Sequence, residues 1–274
     1  MIAASFAFIT ACGAGSKKEN HNMGKEKRTQ VKLETTMGNI TVELYNETPK
    51  HRDNFIKLAK EGVYDSTLFH RVIKQFMVQA GDPTSKTASD TAMLGNGDVG
   101  YTIPAEFVPK FFHHKGVLAA AREGDNVNPQ KASSGCQFYI VTGRKFTEPQ
   151  LLGMENKINE QREEAIFDSL AQKHMKEIYK MRKVGDTEGL YALQDTLEAQ
   201  AQAMADKEEK FHFTPEQIQA YTTVGGAPHL DGSYTVFGEV VEGMETVEKI
   251  EIAKTNRADR PLDNIRILKA TVVE

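Results

Sequence analysis

The chain has 274 residues, of which 39% are hydrophobic and 26% charged, and this composition suits one large packed domain or one domain with additions. Its formal net charge of −4 gives no support to nucleic-acid binding, which calls for a clustered basic surface, and none of its apolar runs reaches the roughly 18 residues of a membrane-spanning helix. The two cysteines, Cys12 and Cys136, are too few for a disulfide framework or a cysteine-bound structural zinc site.

The first predicted element is a secretion signal in residues 1–12. The segment before Cys12 is apolar and rich in small residues, as in the hydrophobic part of a signal peptide. The stretch Ile9-Thr10-Ala11-Cys12 resembles a bacterial lipobox, which implies that Cys12 is the lipidation site of a lipoprotein signal segment. No Lys or Arg precedes the apolar run, so a start upstream with a basic segment is one alternative. An apolar N-terminus that is disordered or strand-like is another.

Residues 13–30 form the second predicted segment, a flexible tether. They are polar, charged and without periodicity. A leader, a cysteine and a tether together predict an extracytoplasmic lipoprotein anchored in a membrane of the cell envelope. Two or more acyl chains on Cys12 would hold it firmly, whereas a single chain would not. Gly13 after the cysteine, in place of Asp, weakly favours the outer membrane if the cell has two membranes.

The body of the chain, residues 31–274, begins with strands. Alternating apolar and polar residues predict a β-hairpin from residues 31–34 and 40–44, with a turn between them. Thr48 as N-cap and Pro49 at the first helical position predict a helix that ends at Gly62. Further strands are predicted near 69–73, 76–79, 116–121, 137–141, 234–240 and 265–273. Many short strands joined by turns point to a sandwich or a closed barrel.

A helical block interrupts this β pattern between residues 149 and 215. Apolar residues recur at helical spacing through residues 151–183, and Gly185-Asp186 ends that helix. A second helix is predicted over residues 190–204, and Thr214-Pro215 starts a short third one. The block is therefore predicted to be an insertion into a mainly β domain.

Four separated blocks of sequence resemble the cyclophilins. The densest is residues 69–82, FHRVIKQFMVQAGD, which matches the central signature of that family. Further agreement lies at residues 116–122, 137–140 and 230–238, in the family's order. The resemblance implies a mainly β fold, a closed eight-stranded antiparallel barrel capped by two helices. It also implies a core filled by side chains and an active site in a groove on the outside of the barrel.

The activity that the resemblance implies is peptidyl-prolyl cis–trans isomerisation. Rotation about a peptide bond meets a barrier of roughly 18–20 kcal/mol, and unaided X–Pro bonds interconvert in tens to hundreds of seconds. Since no covalent bond breaks, no nucleophile, metal or cofactor is required. A donor aimed at the prolyl nitrogen localises its lone pair and stabilises the twisted transition state. Arginine suits this task because it stays charged and offers several fixed donors.

Arg71 is the catalytic donor implied by its position in the matching blocks. The implied substrate-binding residues all belong to the same groove: Phe76, Met77, Gln79, Ala121, Arg122, Gln137, Tyr139, His229, Leu230 and Tyr234. Three of them depart from the best-known members of the family. Tyr139 stands where a phenylalanine is usual, His229 where a tryptophan is common, and Tyr234 where a histidine is common. These departures bear on peptide preference and inhibitor affinity.

Three further patterns have a structural interpretation. Because the reaction requires no proton abstraction, His70 is predicted to be structural and not a general base. His113 and His114 are adjacent, and neighbours on a strand point to opposite faces, so no metal site is expected. Residues 95–100 spell GxGxxG, but a proline soon follows where a helix would be needed. We therefore predict a glycine loop and no nucleotide.

Two functions from different classes remain open. One is an isomerase that assists the folding of exported proteins, with proline-containing and unfolded polypeptides as partners. The other is a binding module or chaperone that grips proline-containing segments, with incidental turnover. Arg71 together with Phe76, Met77 and Gln79 favours the isomerase, whereas the long helical insertion is compatible with the second function.

Overall fold

The computed structural model describes residues 27–273, so the predicted signal segment with Cys12 and the predicted tether as far as residue 26 lie outside the described residues. The strands are β1 Gln30–Thr35, β2 Gly38–Leu44, β3 Arg71–Ile73, β4 Met77–Ala80, β5 Thr102–Ile103, β6 Val117–Ala120, β7 Ser133–Ser134, β8 Phe138–Val141, β9 Val236–Glu242 and β10 Ile267–Val273. The helices are α1 Pro49–Lys60, α2 Glu148–Lys173, α3 Met175–Val184, α4 Thr187–Ala205, α5 Pro215–Thr223 and α6 Met244–Glu251.

The predicted hairpin and first helix are present. β1 and β2 pair antiparallel from Gln30↔Glu43 to Thr35↔Gly38, so the apolar residues of the alternating pattern share one buried face. Thr48 occupies the N-cap of α1, as predicted, although its side chain makes no capping bond. The hydroxyl of Thr48 is buried and donates to the carbonyl of Tyr45 instead, at 3.4 Å.

Eight strands form one antiparallel sheet in the order β10-β1-β2-β9-β6-β8-β4-β3. The sheet curls into an open half-barrel, so the prediction of a closed barrel is wrong. The two outer strands, β3 and β10, share no ladder. The chain just before β3 meets the other edge through an isolated bridge, Leu68↔Arg266, and through single backbone bonds such as that from Phe69 N–H to the carbonyl of Ile265 (2.9 Å).

The two faces of the sheet have different partners. Val72, Val78, Ile140 and Leu118 lie opposite one another across β3, β4, β8 and β6 and belong to the main core inside the curl. The inward faces of α1 and α6 complete that core, so its interior is filled by side chains. A second buried cluster, with Met77 and Tyr139, lies on the outer face. The outer face is therefore the one available for a site.

The insertion predicted over residues 149–215 corresponds to α2, α3 and α4, and α5 follows it directly; the four helices together are called the insertion below. Residues 151–183 were predicted as one helix, but it is broken at His174 into α2 and α3. His174 is neither glycine nor proline, so the sequence pattern gave no sign of the break. Its ring nitrogen Nδ1 lies 2.9 Å from Glu177 Oε2 in the first turn of α3. None of the residues of α3 is buried, so this end of the insertion forms an exposed arm.

The insertion leaves and rejoins the sheet domain at a single point. Arg144 and Gly226 exchange backbone hydrogen bonds at 3.3 and 3.0 Å, and Phe146 N–H donates to the carbonyl of Tyr221 at 3.0 Å. Gly143 has φ +55, and a Cβ built there would come within 2.4 Å of the Cα of Gly226. Only glycine allows this close approach. None of the helices described is both long and apolar enough to cross a membrane.

Candidate active site

The β3–β4 hairpin brings the predicted catalytic residue to the outer face of the sheet. Arg71 pairs with Gln79, and Gln79 pairs with Tyr139 on β8, so the three side chains lie in one row across three strands. The hairpin turn passes through Gln75, whose φ is +59. The site residues lie close together in the sequence because alternate residues of the two short strands β3 and β4 form one surface.

A cavity of about 250 Å³ opens over this row. Nine of the eleven predicted groove residues line it: Arg71, Phe76, Met77, Gln79, Ala121, Arg122, Tyr139, Leu230 and Tyr234. The sequence prediction missed the loop residues Leu94, Gly95, Asn96 and Ala258, which line it as well. The glycines at positions 95 and 97 were the sequence signal for the loop that holds Leu94, Gly95 and Asn96. No such signal marked Ala258.

The floor of the cavity is apolar and built for a ring. Met77 and Tyr139 are buried, with 1% and 4% of their surface exposed, and Leu230 closes one side. Phe76 remains partly exposed at the edge. A pyrrolidine ring placed here would lose water on several sides, which favours binding in proportion to the apolar area covered.

Arg71 stands beside this floor with its side chain partly in solvent, at 43% exposure. Its Nη1 donates to Gln79 Oε1 at 3.4 Å, and its Nε lies 3.8 Å from Asp259 Oδ2. Gln79 is held in turn, because its Nε2 donates to Gln137 Oε1 at 3.0 Å. Gln137 Nε2 donates to the carbonyls of Gly95 and Gly97 at 2.9 and 2.8 Å. The guanidinium is therefore oriented by a chain of amides while other N–H groups stay available.

Two predicted residues lie beside the cavity. Gln137 is buried behind Gln79 and acts through it. His229 lies at the border, with its ring centroid 5.3 Å from that of Phe76, and lines the neighbouring groove. Arg122 does line the cavity, but its side chain is held by the protein. Its Nε donates to the carbonyl of Ser233 at 2.7 Å and its guanidinium lies 4.4 Å over the Tyr234 ring, which fixes that wall.

The GxGxxG stretch is a loop, as predicted, and it is organised by Asp82. The Asp82 carboxylate accepts hydrogen bonds from the backbone of Gly95 (2.6 Å) and Gly97 (3.4 Å) and from Thr84. Burial opposes ionisation of Asp82, but these hydrogen bonds outweigh it and lower its pKa. A Cβ at Gly97 would fall 2.0 Å from Asp82 Oδ1, so the loop needs glycine there. The carboxylate thus positions the loop to which Gln137 is bound.

The sequence reasoning missed the buried network beneath Tyr139. His113 Nδ1 lies 2.9 Å from Asp231 Oδ1, and because a carboxylate only accepts, Nδ1 carries the hydrogen. The other ring nitrogen, His113 Nε2, lies within hydrogen-bond distance of the Tyr139 hydroxyl, at 3.1 Å. The second oxygen of Asp231 accepts from Tyr221 (2.6 Å) and Gln217 (3.3 Å) of α5. One carboxylate therefore links the cavity floor to the insertion. Spacing along the sequence could not reveal it, since these residues lie 118 and 10 positions apart.

His70 is a further buried titratable group at the site. It lines the cavity with 3% exposure, and among the described residues neither ring nitrogen has a hydrogen-bond partner. Burial lowers the pKa of His70 to about 4, with Asp82 opposing this in part. The ring is consequently neutral at physiological pH.

His70 should make the fold sensitive to acid. Above the ordinary pKa of about 6.5 both the folded and unfolded chains hold this ring neutral. As pH falls from 6.5 towards 4, His70 binds a proton in the unfolded chain but stays largely neutral in the folded chain. The free energy of unfolding should therefore drop by roughly 2–3 kcal/mol from this group. Urea unfolding at pH 7 and 4.5 measures the drop, and the drop should be smaller in His70→Gln. An equal drop in both proteins would contradict the assignment.

Residues 30–272 match the family model described as cyclophilin type peptidyl-prolyl cis-trans isomerase/CLD. The chain is similar to a peptidyl-prolyl cis-trans isomerase-like 1 protein of Aspergillus fumigatus, with 29% identity over 248 residues, covering 90% of this chain and 96% of the relative. A peptidyl-prolyl cis-trans isomerase of Dictyostelium discoideum is 30% identical over 248 residues, covering 88% of this chain and 96% of the relative.

Solved structures of similar fold come from Cryptosporidium parvum. A crystal structure of its cyclophilin type peptidyl-prolyl cis-trans isomerase superposes with a TM-score of 0.54 at 20% identity, covering 90% of this chain and 98% of the other. A second crystal structure of that protein, in the presence of the dipeptide Ala-Pro, gives 0.51 at 19% identity, covering 89% and 99%.

Proposed function

The chain belongs to the cyclophilin-type peptidyl-prolyl cis–trans isomerases, and from this premise we propose that it catalyses X–Pro rotation in exported proteins while anchored to a membrane outside the cytoplasm. Isomerisation of X–Pro peptide bonds is the activity of this family. The exported substrates, the lipid anchor and the location are the proposed part.

One observation carries the assignment of the reacting groups: Arg71 lies beside an apolar cavity of about 250 Å³ and is oriented by Gln79. The proline ring would occupy the floor formed by Met77 and Tyr139, with Phe76 at its edge. A guanidinium N–H would then face the prolyl nitrogen and stabilise the lone pair that appears there as the bond twists. The described residues contain no group of three or more His, Cys, Asp or Glu suited to a metal ion.

Two assays test this function together. Isomer-coupled cleavage of a short Ala-Pro peptide measures the chemical step. Refolding of an exported protein whose slow phase is limited by a non-native X–Pro bond measures action on a polypeptide, since unaided isomerisation takes tens to hundreds of seconds. We expect both rates to rise in proportion to enzyme concentration. A refolding rate that does not change while the peptide is turned over would remove the proposed role in folding.

The proposed anchor rests on the sequence before residue 30. The lipobox-like stretch that ends at Cys12 precedes a polar segment long enough to separate a domain from a membrane surface. Cys136, by contrast, is a free thiol with 3% exposure. Burial raises the pKa of Cys136 to about 11, so it is poorly suited to modification.

Cys12→Ser should move the protein from the membrane fraction to the soluble fraction. The physical reason is that lipid chains on Cys12 would be its main attachment to the bilayer. Cell fractionation and mass spectrometry of the N-terminal peptide measure the change. Cys136→Ser is the matched control and should leave the protein in the membrane fraction. Wild-type protein found soluble, or an N-terminal peptide without acyl mass, would contradict the anchor.

A further inference from the structure

A second, larger groove adjoins the proline cavity. It has a volume of about 920 Å³ and lies between the insertion and the outer face of the sheet domain. Tyr234 lines both the cavity and the groove. His229, packed against Phe76, forms the rest of the border. A polypeptide with its proline in the cavity could thus continue into the groove without leaving the protein surface.

One wall of this groove is a stripe of helix α2. Met154, Lys157, Ile158, Gln161 and Arg162 recur at helical spacing and all face the groove. The opposite wall comes from the loop around residues 107–112 and from residues 228–236. The α2 wall exists only because of the insertion, so the groove is a feature that the inserted segment creates.

The insertion is held in a fixed position against the sheet domain at this end. Phe213, Leu151 and Tyr221 pack with Phe146 in a small buried core, and Phe112 from the sheet domain joins it. The Tyr221 hydroxyl also donates to Asp231 at 2.6 Å. Since aromatic packing and a buried charged hydrogen bond both restrain it, the wall is formed before any ligand arrives.

The chemistry of the groove is apolar with positive charge. Phe107 is 42% exposed, and Phe111, Met154 and Ile158 are half-buried around it. Three cations line the groove: Lys131, Lys157 and Arg162. Within residues 27–273 none of the three lies within 4.0 Å of a carboxylate. The carboxylate that lines the groove, Asp231, already accepts hydrogen bonds from His113 and from Tyr221 of α5.

The other side of α2 has the opposite charge. Glu160, Glu163 and Glu164 face the shallow cleft between α2 and α4, together with Asp195 and Glu198. The chain as a whole has a net charge of −4. A groove lined by three cations and one carboxylate is therefore a local exception, and it is complementary to an acidic ligand.

We propose that this groove binds the segment of the substrate polypeptide next to the isomerised proline, and that it selects segments rich in acidic and large apolar residues. The inference rests on the proposed function, because the proline cavity sets the register of the bound chain. Aromatic and aliphatic side chains of the substrate cover Phe107, Phe111 and Ile158, and its carboxylates face Lys131, Lys157 and Arg162.

Three peptides with one Ala-Pro bond test the proposal. The first is a tetrapeptide. The second carries Glu and Leu on both sides of the same core, and the third has Lys in place of each Glu. NMR exchange spectroscopy gives kcat/KM for each. For the wild-type protein we expect the acidic long peptide to exceed the tetrapeptide at least tenfold, which corresponds to about 1.4 kcal/mol. We expect the basic long peptide to show no such gain.

Charge reversal in the groove should abolish that gain. In the double variant Lys157→Glu, Arg162→Glu we expect the ratio of the acidic long peptide to the tetrapeptide to fall at least fivefold. The matched control is Lys176→Glu, Arg182→Glu on the exposed arm, which changes net charge equally and should keep the wild-type ratio. Far-UV circular dichroism verifies that both variants are folded.

Three outcomes would overturn the proposal. One is an equal gain for the acidic and basic long peptides. Another is a ratio within twofold of wild type in the groove variant. A third is a dimer of the wild-type chain, seen by sedimentation and dissociated by the groove variant with an unchanged ratio, which would make a second copy the occupant. The tetrapeptide distinguishes these outcomes from a failure of the proposed function. If the wild-type protein does not isomerise even the tetrapeptide, both the proposed function and the proposed groove selectivity are wrong.

Discussion

Arg71→Ala should lower kcat/KM for a short Ala-Pro peptide at least about tenfold, which corresponds to roughly 1.4 kcal/mol of transition-state stabilisation. The proline floor of Met77 and Tyr139 remains in this variant, so the loss should fall mainly on kcat. The charged donor interacts more strongly with the twisted bond than with the planar one, and its removal therefore raises the barrier. Isomer-coupled cleavage, with circular dichroism to verify the fold, measures the effect.

Two comparison variants sharpen this experiment. Arg71→Lys keeps the charge but loses the planar fork that reaches both Gln79 and the substrate, so it should recover only part of the rate. Arg182→Ala removes an exposed arginine of α3, far from the site in the fold, and should retain the wild-type rate. If Arg71→Ala is folded and as active as Arg182→Ala, Arg71 is not the donor.

Asp231→Ala should be the most destabilising of the single substitutions considered, at about 3–5 kcal/mol. Its carboxylate accepts from the His113 backbone and ring at 2.8 and 2.9 Å and from Tyr221 at 2.6 Å. Alanine would leave these donors buried without partners, and each unpaired group carries a desolvation penalty. Urea unfolding measures the change, and the near-UV spectrum should report loosening of the Tyr139 and Tyr221 rings.

Milder variants keep this prediction testable if Asp231→Ala does not fold. Tyr221→Phe removes one hydroxyl and should cost about 1.5–3 kcal/mol, the range for a hydrogen bond to a charged group. Asp168→Ala removes an exposed carboxylate from α2 and should stay within about 0.5 kcal/mol of wild type. If Tyr221→Phe lowers the free energy of unfolding no more than Asp168→Ala does, the hydrogen bond from Tyr221 to Asp231 does not hold the insertion in place.

The local parts of the fold could be predicted from the sequence. The β1–β2 hairpin follows from residue alternation, and the starts of α1 and α5 follow from Thr-Pro pairs. The motif around Arg71 predicted most of the cavity because neighbouring short strands carry it. The identities of the groove residues came from resemblance to a family, and their roles remain predictions.

The remaining features depend on contacts between distant residues. His113 was judged from its neighbour His114 as a member of a strand, whereas its side chain is set by Asp231, which is 118 positions away. The break at His174 involves no glycine or proline, so helical spacing continued through it. Closure of the barrel depends on whether the two outer strands, β3 and β10, pair with each other, and a pattern of apolar residues does not show which strands pair.

The order of strands in the sheet also sets when the domain can fold. β1 lies between β2 and β10, and β2 lies between β1 and β9, so the first strands of the chain need partners from residues 236–242 and 267–273. Such pairings have high contact order and form slowly, because the entropy of closing a long loop is lost before the strand pairing contributes any stabilising energy. A nascent chain that lacks its last residues leaves one edge of β1 unpaired. The domain can therefore complete its sheet only after β10, residues 267–273, has been synthesised.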